Sequence, residues 1–261
     1  MKVVRTIGDL RATRSQVAQS QKVGFVPTMG AFHDGHVALF HAARSECEVV
    51  VVSLFVNPAQ FAPSEDFEQY PRDERRDAQI AADAGVDLLF VPAADEIYPA
   101  EFATWIDVGP AGAEGEARPG HFRAVATVCV KLFNIVCPHV AYFGQKDAQQ
   151  VALLGSVVRD LNVPVELRVV PTVRDEDGLA VSSRNAYLSP AERERALALP
   201  RALSNARDSA DPIAAAHEEL NGLVPDYVEI VDIGGAKVLA AAARVGSTRL
   251  IDNVVLEGEV R

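Results

Sequence analysis

The sequence predicts an α/β protein: a doubly wound parallel sheet followed by a smaller α+β unit. Three observations lead there. Strand-like apolar runs alternate with helix-like runs through the first two thirds of the chain. Those strand runs are continuously apolar, as in parallel strands covered on both faces. Beyond residue 171 the texture changes to alanine-rich charged helical stretches and alternating strands, so residues 1–171 and 172–261 are expected to form separate domains.

Residues 23–26 read as a strand and residues 37–44 as a helix. Residues 49–55 form an unbroken apolar run, a buried strand. Residues 73–84 read as a helix, and 87–91 as a strand stopped by Pro92. Residues 104–108 read as a strand. Residues 109–120 carry four glycines and two prolines among charges, the composition of a mobile loop. Residues 124–136 read as an apolar helix, 140–143 as a strand ending at Gly144, 148–161 as a helix and 165–170 as a strand before Pro171. The first domain is thus expected to be Rossmann-like. In the second, Ser189-Pro190-Ala191-Glu192 opens a long helix through a serine cap and an early proline, and Asp211-Pro212 opens another. Residues 226–232 and 249–256 alternate like two partner strands, and the alanine-rich run 238–243 reads as a short helix.

The bulk composition narrows the function classes. The chain has 261 residues, 49% hydrophobic and 23% charged, with net charge −11 and pI about 5.0. An acidic chain is a poor non-specific binder of nucleic acid or membrane, which select basic surfaces. Cys47, Cys129 and Cys137 form no C-x-x-C pattern and read as small core residues in a reducing, cytoplasmic setting. No secretory signal is read in the first ten residues, and no apolar run reaches the roughly 18–20 residues a spanning helix needs.

The chemistry concentrates at predicted strand ends. Val26-Pro27-Thr28-Met29-Gly30-Ala31-Phe32-His33-Asp34-Gly35-His36 joins the first of these strands to its helix. The carboxyl end of a parallel strand is where open α/β sheets bind ligands, and a helix N-terminus suits an anion. Gly35 lets a backbone approach closely. His33 and His36 could donate to phosphate oxygens or merely cap the helix; a zinc site would want further ligands, and no cysteine pair lies nearby. Asn57-Pro58-Ala59-Gln60-Phe61 follows the 49–55 strand and offers two amides, or a plain Asn-Pro turn. Arg118 to Arg123 could neutralise an anion or form a solvated cap. In Gly144-Gln145-Lys146-Asp147-Ala148-Gln149-Gln150, Lys146 is a phosphate candidate, Asp147 could cap the helix or hold a ribose or magnesium, and Gln150 lies one turn in. Val181-Ser182-Ser183-Arg184-Asn185 could clamp phosphate or form a polar interdomain loop.

The His33-x-Gly35-His36 turn resembles the signature of the nucleotidyltransferase superfamily. With the Pro27-Thr28-Met29-Gly30, Asn57-Pro58-x-Gln60-Phe61, Gly144-x-Lys146-Asp147-x-x-Gln150 and Ser182-Ser183-Arg184-Asn185 blocks, the chain resembles the pantothenate synthetase (pantoate–β-alanine ligase) family over almost its full length. Three positions depart from the pattern: Gln145 replaces a usual Glu, Val181 a usual Met and Ala62 a usual Gly.

The resemblance implies an AMP-forming ligase that joins pantoate to β-alanine through a pantoyl adenylate, consuming ATP with Mg2+ and releasing pyrophosphate. It implies His36, His33 and Lys146 as catalytic residues. It places ATP against Met29, Gly30, His33, Gly35, His36, Gly144, Gln145, Lys146, Asp147, Val173, Val181, Ser182, Ser183 and Arg184. Gln60, Gln150, Asn57 and Met29 would hold pantoate and β-alanine, with no protein-held metal. It also implies a cytoplasmic homodimer whose partners are small molecules, neither nucleic acid nor membrane. The 109–120 loop and the second domain are candidate lids over the adenylate. The competing readings are another H-x-G-H nucleotidyltransferase and a non-catalytic nucleotide-binding protein.

Overall fold

The structure is a computed structural model describing residues 1–63, 65–109, 112–220 and 222–260. Its elements, in chain order, begin β1 (Lys2–Val4), α1 (Ile7–Arg14), β2 (Val23–Thr28), α2 (Asp34–Glu46), β3 (Val49–Leu54), α3 (Glu74–Asp83), β4 (Leu88–Phe90) and α4 (Ala94–Ile97). There follow α5 (Gly112–Ala117), α6 (His121–Val136), β5 (Val140–Gly144), α7 (Ala148–Asp160) and β6 (Glu166–Val170). The remainder is α8 (Pro190–Ala196), α9 (Ala198–Ala206), α10 (Pro212–Glu219), β7 (Val224–Ile233), β8 (Ala236–Val245) and β9 (Thr248–Glu257).

The first six strands form one parallel sheet in the order β1-β4-β3-β2-β5-β6. Alternate residues feed opposite faces. Val49 and Val51 pack with α6 and α7, whereas Val50 and Val52 pack with Phe40, Ala43 and Ala81 of α2 and α3. Both faces are therefore dry, which is why these strands read as unbroken apolar runs. The chain builds outward from β2 to β4, then crosses back to lay β5 on the other side of β2. That reversal is a topological switch point, and the crevice above it is where such sheets bind ligands.

Strands β7, β8 and β9 form an antiparallel sheet covered by α8, α9 and α10. Here the structure corrects the sequence reading. The run 238–243 is the central strand β8, not a helix. Alanine favours helix locally, but Leu239, Ala241 and Ala243 pack into the helical core while Val238 joins the core of the first sheet. With both faces buried, period-2 alternation disappears and tertiary packing overrides propensity. Consequently β7 and β9 are not partners; each pairs with β8. The long helix from Ser189 is two helices, capped by the Ser189–Glu192 box and broken at Leu197.

Three further readings change. Residues 104–108 belong to no strand among the described residues. The glycine-rich 109–120 segment contains helix α5, with Glu114 buried against Arg249 of β9 at 2.7 and 2.9 Å; Pro110 and Ala111 lie outside the described residues. Cys47 and Cys129 are buried as expected, but Cys137 is exposed at the left-handed end of α6. Among the described residues, no helix is long and apolar enough to cross a membrane.

Candidate active site

Two cavities meet above the switch point. The inner one, about 190 Å3, brings together Met29, His33, His36, Asn57, Gln60, Lys146, Asp147, Gln150, Ser182, Ser183 and Arg184. It shares Lys146, Asp147, Gln150, Ser182 and Arg184 with a wider cleft of about 910 Å3 that runs from the start of α7 and the 179–187 loop to the second sheet. Segments separated by more than a hundred residues thus converge because β2, β3 and β5 are adjacent and in parallel register.

The histidines cap the helix, and the cap sets which ring nitrogen of each is free to donate. His33 is the N-cap of α2: its Nδ1 accepts from Gly35 N–H at 3.1 Å, while the Nδ1 of His36 accepts from His33 N–H at 3.3 Å. A backbone N–H can only donate, so each Nδ1 is bare and each neutral ring carries its proton on Nε2. Burial first, then Lys146, pushes His33 down to about 4; burial, His33 and Lys146 hold His36 well below the ordinary histidine range. Capping therefore fixes the tautomer of both rings, whose centroids lie 4.1 Å apart, and leaves two Nε2–H donors that need no positive charge. Gly35 serves this cap: a Cβ there would lie 2.9 Å from the His33 ring. What approaches its backbone is the histidine.

Gln60 ends a short 3-10 turn, Pro58–Gln60, capped by Asn57. The buried Asn57 donates through Nδ2 to Gln60 Oε1 at 2.9 Å and accepts from Ala59 N–H at 3.2 Å. With its oxygen engaged, Gln60 offers Nε2 as a donor to the cavity; Asn57 orients it. His121 donates to the Gln60 carbonyl at 3.0 Å and its other nitrogen accepts from Arg118 at 2.9 Å. Burial, then the Arg118 guanidinium, lowers His121 to about 4. Arg118 itself is paired with Glu65 at 2.8 Å.

Arg184 also has a carboxylate partner. Asp66 accepts from its Nε at 3.0 Å and its Nη2 at 2.9 Å. Ser183 donates to the Ala31 carbonyl at 3.2 Å, tying this loop to the histidine turn. The floor of the inner cavity is apolar: Phe55, Val125, Val128, Cys129, Leu132 and Phe143. Burial pushes the Cys129 thiol up to about 12, so it is a wall and not a nucleophile.

Not all the expected residues line these cavities. Gly30 shapes the turn at φ 86°, and Gly144 ends β5 with open space around its Cα. Val173 and Val181 pair by a 3.0 Å backbone hydrogen bond beside the cavities, outside their lining. Gln145 turns away: its amide donates to Asn253 Oδ1 at 2.9 Å, and Asn253 returns hydrogen bonds to the Gln145 and Lys146 carbonyls at 2.8 and 3.0 Å. Its replacement of Glu therefore acts at the contact with β9. The sequence reading missed Thr28, Tyr70, Asp66 and the apolar floor. The floor residues of α6 carry no signal distinguishing them from core, and Asp66 sits in an unremarkable acidic stretch.

Known proteins of similar sequence and fold fix the family. A sequence profile of the family described as pantoate–beta-alanine ligase matches residues 2–255. Pantothenate synthetase 1 of Bradyrhizobium diazoefficiens is 50% identical, with 98% of each chain covered. Pantothenate synthetase of Heliobacterium modesticaldum is 47% identical, covering 98% of this chain and 100% of that one. The crystal structure of pantothenate synthetase from Thermus thermophilus superposes with a TM-score of 0.92 at 44% identity, covering 99% of this chain and 100% of the other. Pantoate–beta-alanine ligase from Francisella tularensis, complexed with beta-gamma ATP and beta-alanine, superposes with a TM-score of 0.87 at 36% identity and 99% coverage of both. The chain belongs to the pantoate–β-alanine ligase family.

Proposed function

We propose that this chain condenses pantoate with β-alanine at the expense of ATP, in two steps at the paired cavities. The observation that carries the reading is the inner cavity itself: amide donors above an apolar floor, opening onto a path of neutral N–H and cationic donors. Pantoate has two methyl groups on one carbon, two hydroxyls and a carboxylate. The methyls fit the floor of Phe55, Val125 and Leu132, and Gln60 and Gln150 meet the oxygens. The triphosphate lies along His33, His36, Lys146, Ser182, Ser183 and Arg184, with adenosine in the wider cleft against Asp147, and Gly144, Val173 and Val181 shape the backbone just outside its lining.

In the first step a pantoate carboxylate oxygen attacks the α-phosphorus and the bond to pyrophosphate breaks. The Nε2–H groups of His33 and His36 and the Lys146 ammonium stabilise the charge that develops on the phosphate oxygens. Neutral donors are already oriented by their caps, so little reorganisation is needed. In the second step the β-alanine amine attacks the acyl carbon, the C–N bond forms, AMP leaves and the amine loses a proton. Magnesium, when bound, neutralises phosphate oxygens; its preference for substrate phosphates and water fits a site where the Asp147 carboxylate lies 3.9 Å from the Lys146 ammonium. Residues 1–171 and 172–261 act as separate domains, the second a lid, in a cytoplasmic homodimer.

Pantoate labelled with oxygen-18 in its carboxylate tests the intermediate. The label is expected in the phosphate of product AMP. AMP without label would exclude an acyl adenylate, and a stable nucleotide–pantoate product without amide formation would favour the other nucleotidyltransferase reading.

A further inference from the structure

The turn that carries the histidines is not held by its own sequence. Gly30 and Ala31 both adopt left-handed backbone, at φ 86° and 53°. An L-residue such as Ala31 resists that conformation, because its Cβ crowds the adjacent carbonyl. The neighbouring contacts must hold it there.

We infer that Asp77 is a positioning residue for the reaction, fixing the histidine turn from outside the cavity. Asp77 sits in the first turn of α3 and is 1% exposed. Its Oδ2 accepts from Ala31 N–H at 2.8 Å and its Oδ1 from Phe32 N–H at 2.8 Å. One carboxylate thus grips two successive amides, immediately before the cap residue His33. It packs so closely that a Cβ on Gly30 would lie 3.0 Å from Oδ2. On the other side, the Ala31 carbonyl receives Ser183, and Thr28 Oγ1, accepting from Gly30 N–H at 3.3 Å, ties the turn's start to the Ser53 carbonyl at 2.6 Å. The turn is therefore clamped between a rigid helix and the phosphate loop. Asp77 lines neither cavity; it acts through Met29, His33 and His36, whose placement depends on the backbone it holds.

Asparagine at this position keeps one oxygen and turns an NH2 donor toward the second N–H, so Asp77→Asn loses one bond and sets donor against donor. Misplacing reacting groups by a fraction of an ångström to one ångström costs up to about a hundredfold in rate. For D77N, kcat per folded site, counted by the pyrophosphate burst, should fall by roughly 10–100-fold, with KM for ATP and pantoate changing less than about threefold. Adding Ala31→Gly, which removes the Cβ penalty of the left-handed turn, should recover part of that loss. A purely structural role would lower the folded fraction and leave kcat per site within about twofold of wild type; that outcome overturns the inference.

The kinetic readout rests on the pantoate ligation proposed above. A second measurement does not. Hydrogen exchange of the Ala31 and Phe32 amides in the unaltered protein should be as slow as in strand β2. Exchange at the rate of an exposed loop would overturn the inference even if D77N fails to fold, and leaves the proposed reaction untouched.

Discussion

Replacing Asp66 by Asn should tighten ATP binding. Arg184 is the only arginine of the 181–185 loop proposed to hold phosphate, and both guanidinium nitrogens that face Asp66 are engaged by hydrogen bonds of 2.9 and 3.0 Å. The pair is neither at the surface nor fully interior: the side chains are 30% and 22% exposed. A triphosphate that takes Arg184 must first separate it from Asp66. Exposed pairs contribute about 0–1 kcal/mol and charge-assisted hydrogen bonds about 1.5–3 kcal/mol. A carboxamide retains one neutral acceptor, so D66N should lower the cost of freeing Arg184 by about 1–2 kcal/mol. That is a roughly 5–30-fold lower Kd for ATP, since each 1.4 kcal/mol is tenfold. Calorimetric titration with a non-hydrolysable ATP analogue reads it directly. Glu65→Gln is the control for net charge, because Glu65 pairs with Arg118 instead; it should move the Kd far less. An unchanged or weaker Kd in D66N would refute the reasoning and make Asp66 a support for Arg184, not its competitor.

Three further outcomes follow from the site. His36→Ala should retain the fold, losing only about 1 kcal/mol of capping, while pantoate-dependent pyrophosphate release falls at least about a hundredfold; near-wild-type turnover would remove His36 from the mechanism. Gln60→Ala should mainly raise the pantoate KM, and Asn57→Ala should reproduce part of that rise because Asn57 orients Gln60; an unchanged pantoate KM in both would reject this pocket for pantoate. His33 and His121 each sit at about 4 when folded, below the ordinary unfolded value of about 6.5. As pH falls through that window the unfolded chain takes up protons that the folded one refuses, so stability is full above about 6.5 and declines toward 4, by at most about 3 kcal/mol per ring. Urea unfolding at pH 7.5 and 5.0 reads the difference; equal stability would mean that the rings are not neutral in the fold.

The parallel sheet was legible because its central strands β2, β3, β4 and β5 are buried on both faces and read as apolar blocks between helical periods. The same two-sided burial hid β8, where alanines carry no β-branching and suggest helix. Strand β1 is three residues at the sheet edge, too short to leave a pattern. Local readings named the histidine turn, Gln60 and Lys146 as candidates because each sits where a strand yields to a helix or turn. The partners that set their chemistry were not legible. Asp66 meets Arg184 from 118 residues away and Asp77 holds the histidine turn from 46 residues away at Ala31, and nothing local marks either one. Gln145 shows the converse limit: a residue inside the right motif whose side chain the fold turns toward β9.

The most direct test of the central claim is pyrophosphate release from ATP and magnesium, with pantoate alone and then with β-alanine. Pantoate alone should give a burst of about one pyrophosphate per active site, and β-alanine should convert it to steady turnover with pantothenate as product. Release that ignores pantoate, or none under either condition, would contradict the ligase and leave only the nucleotide cleft.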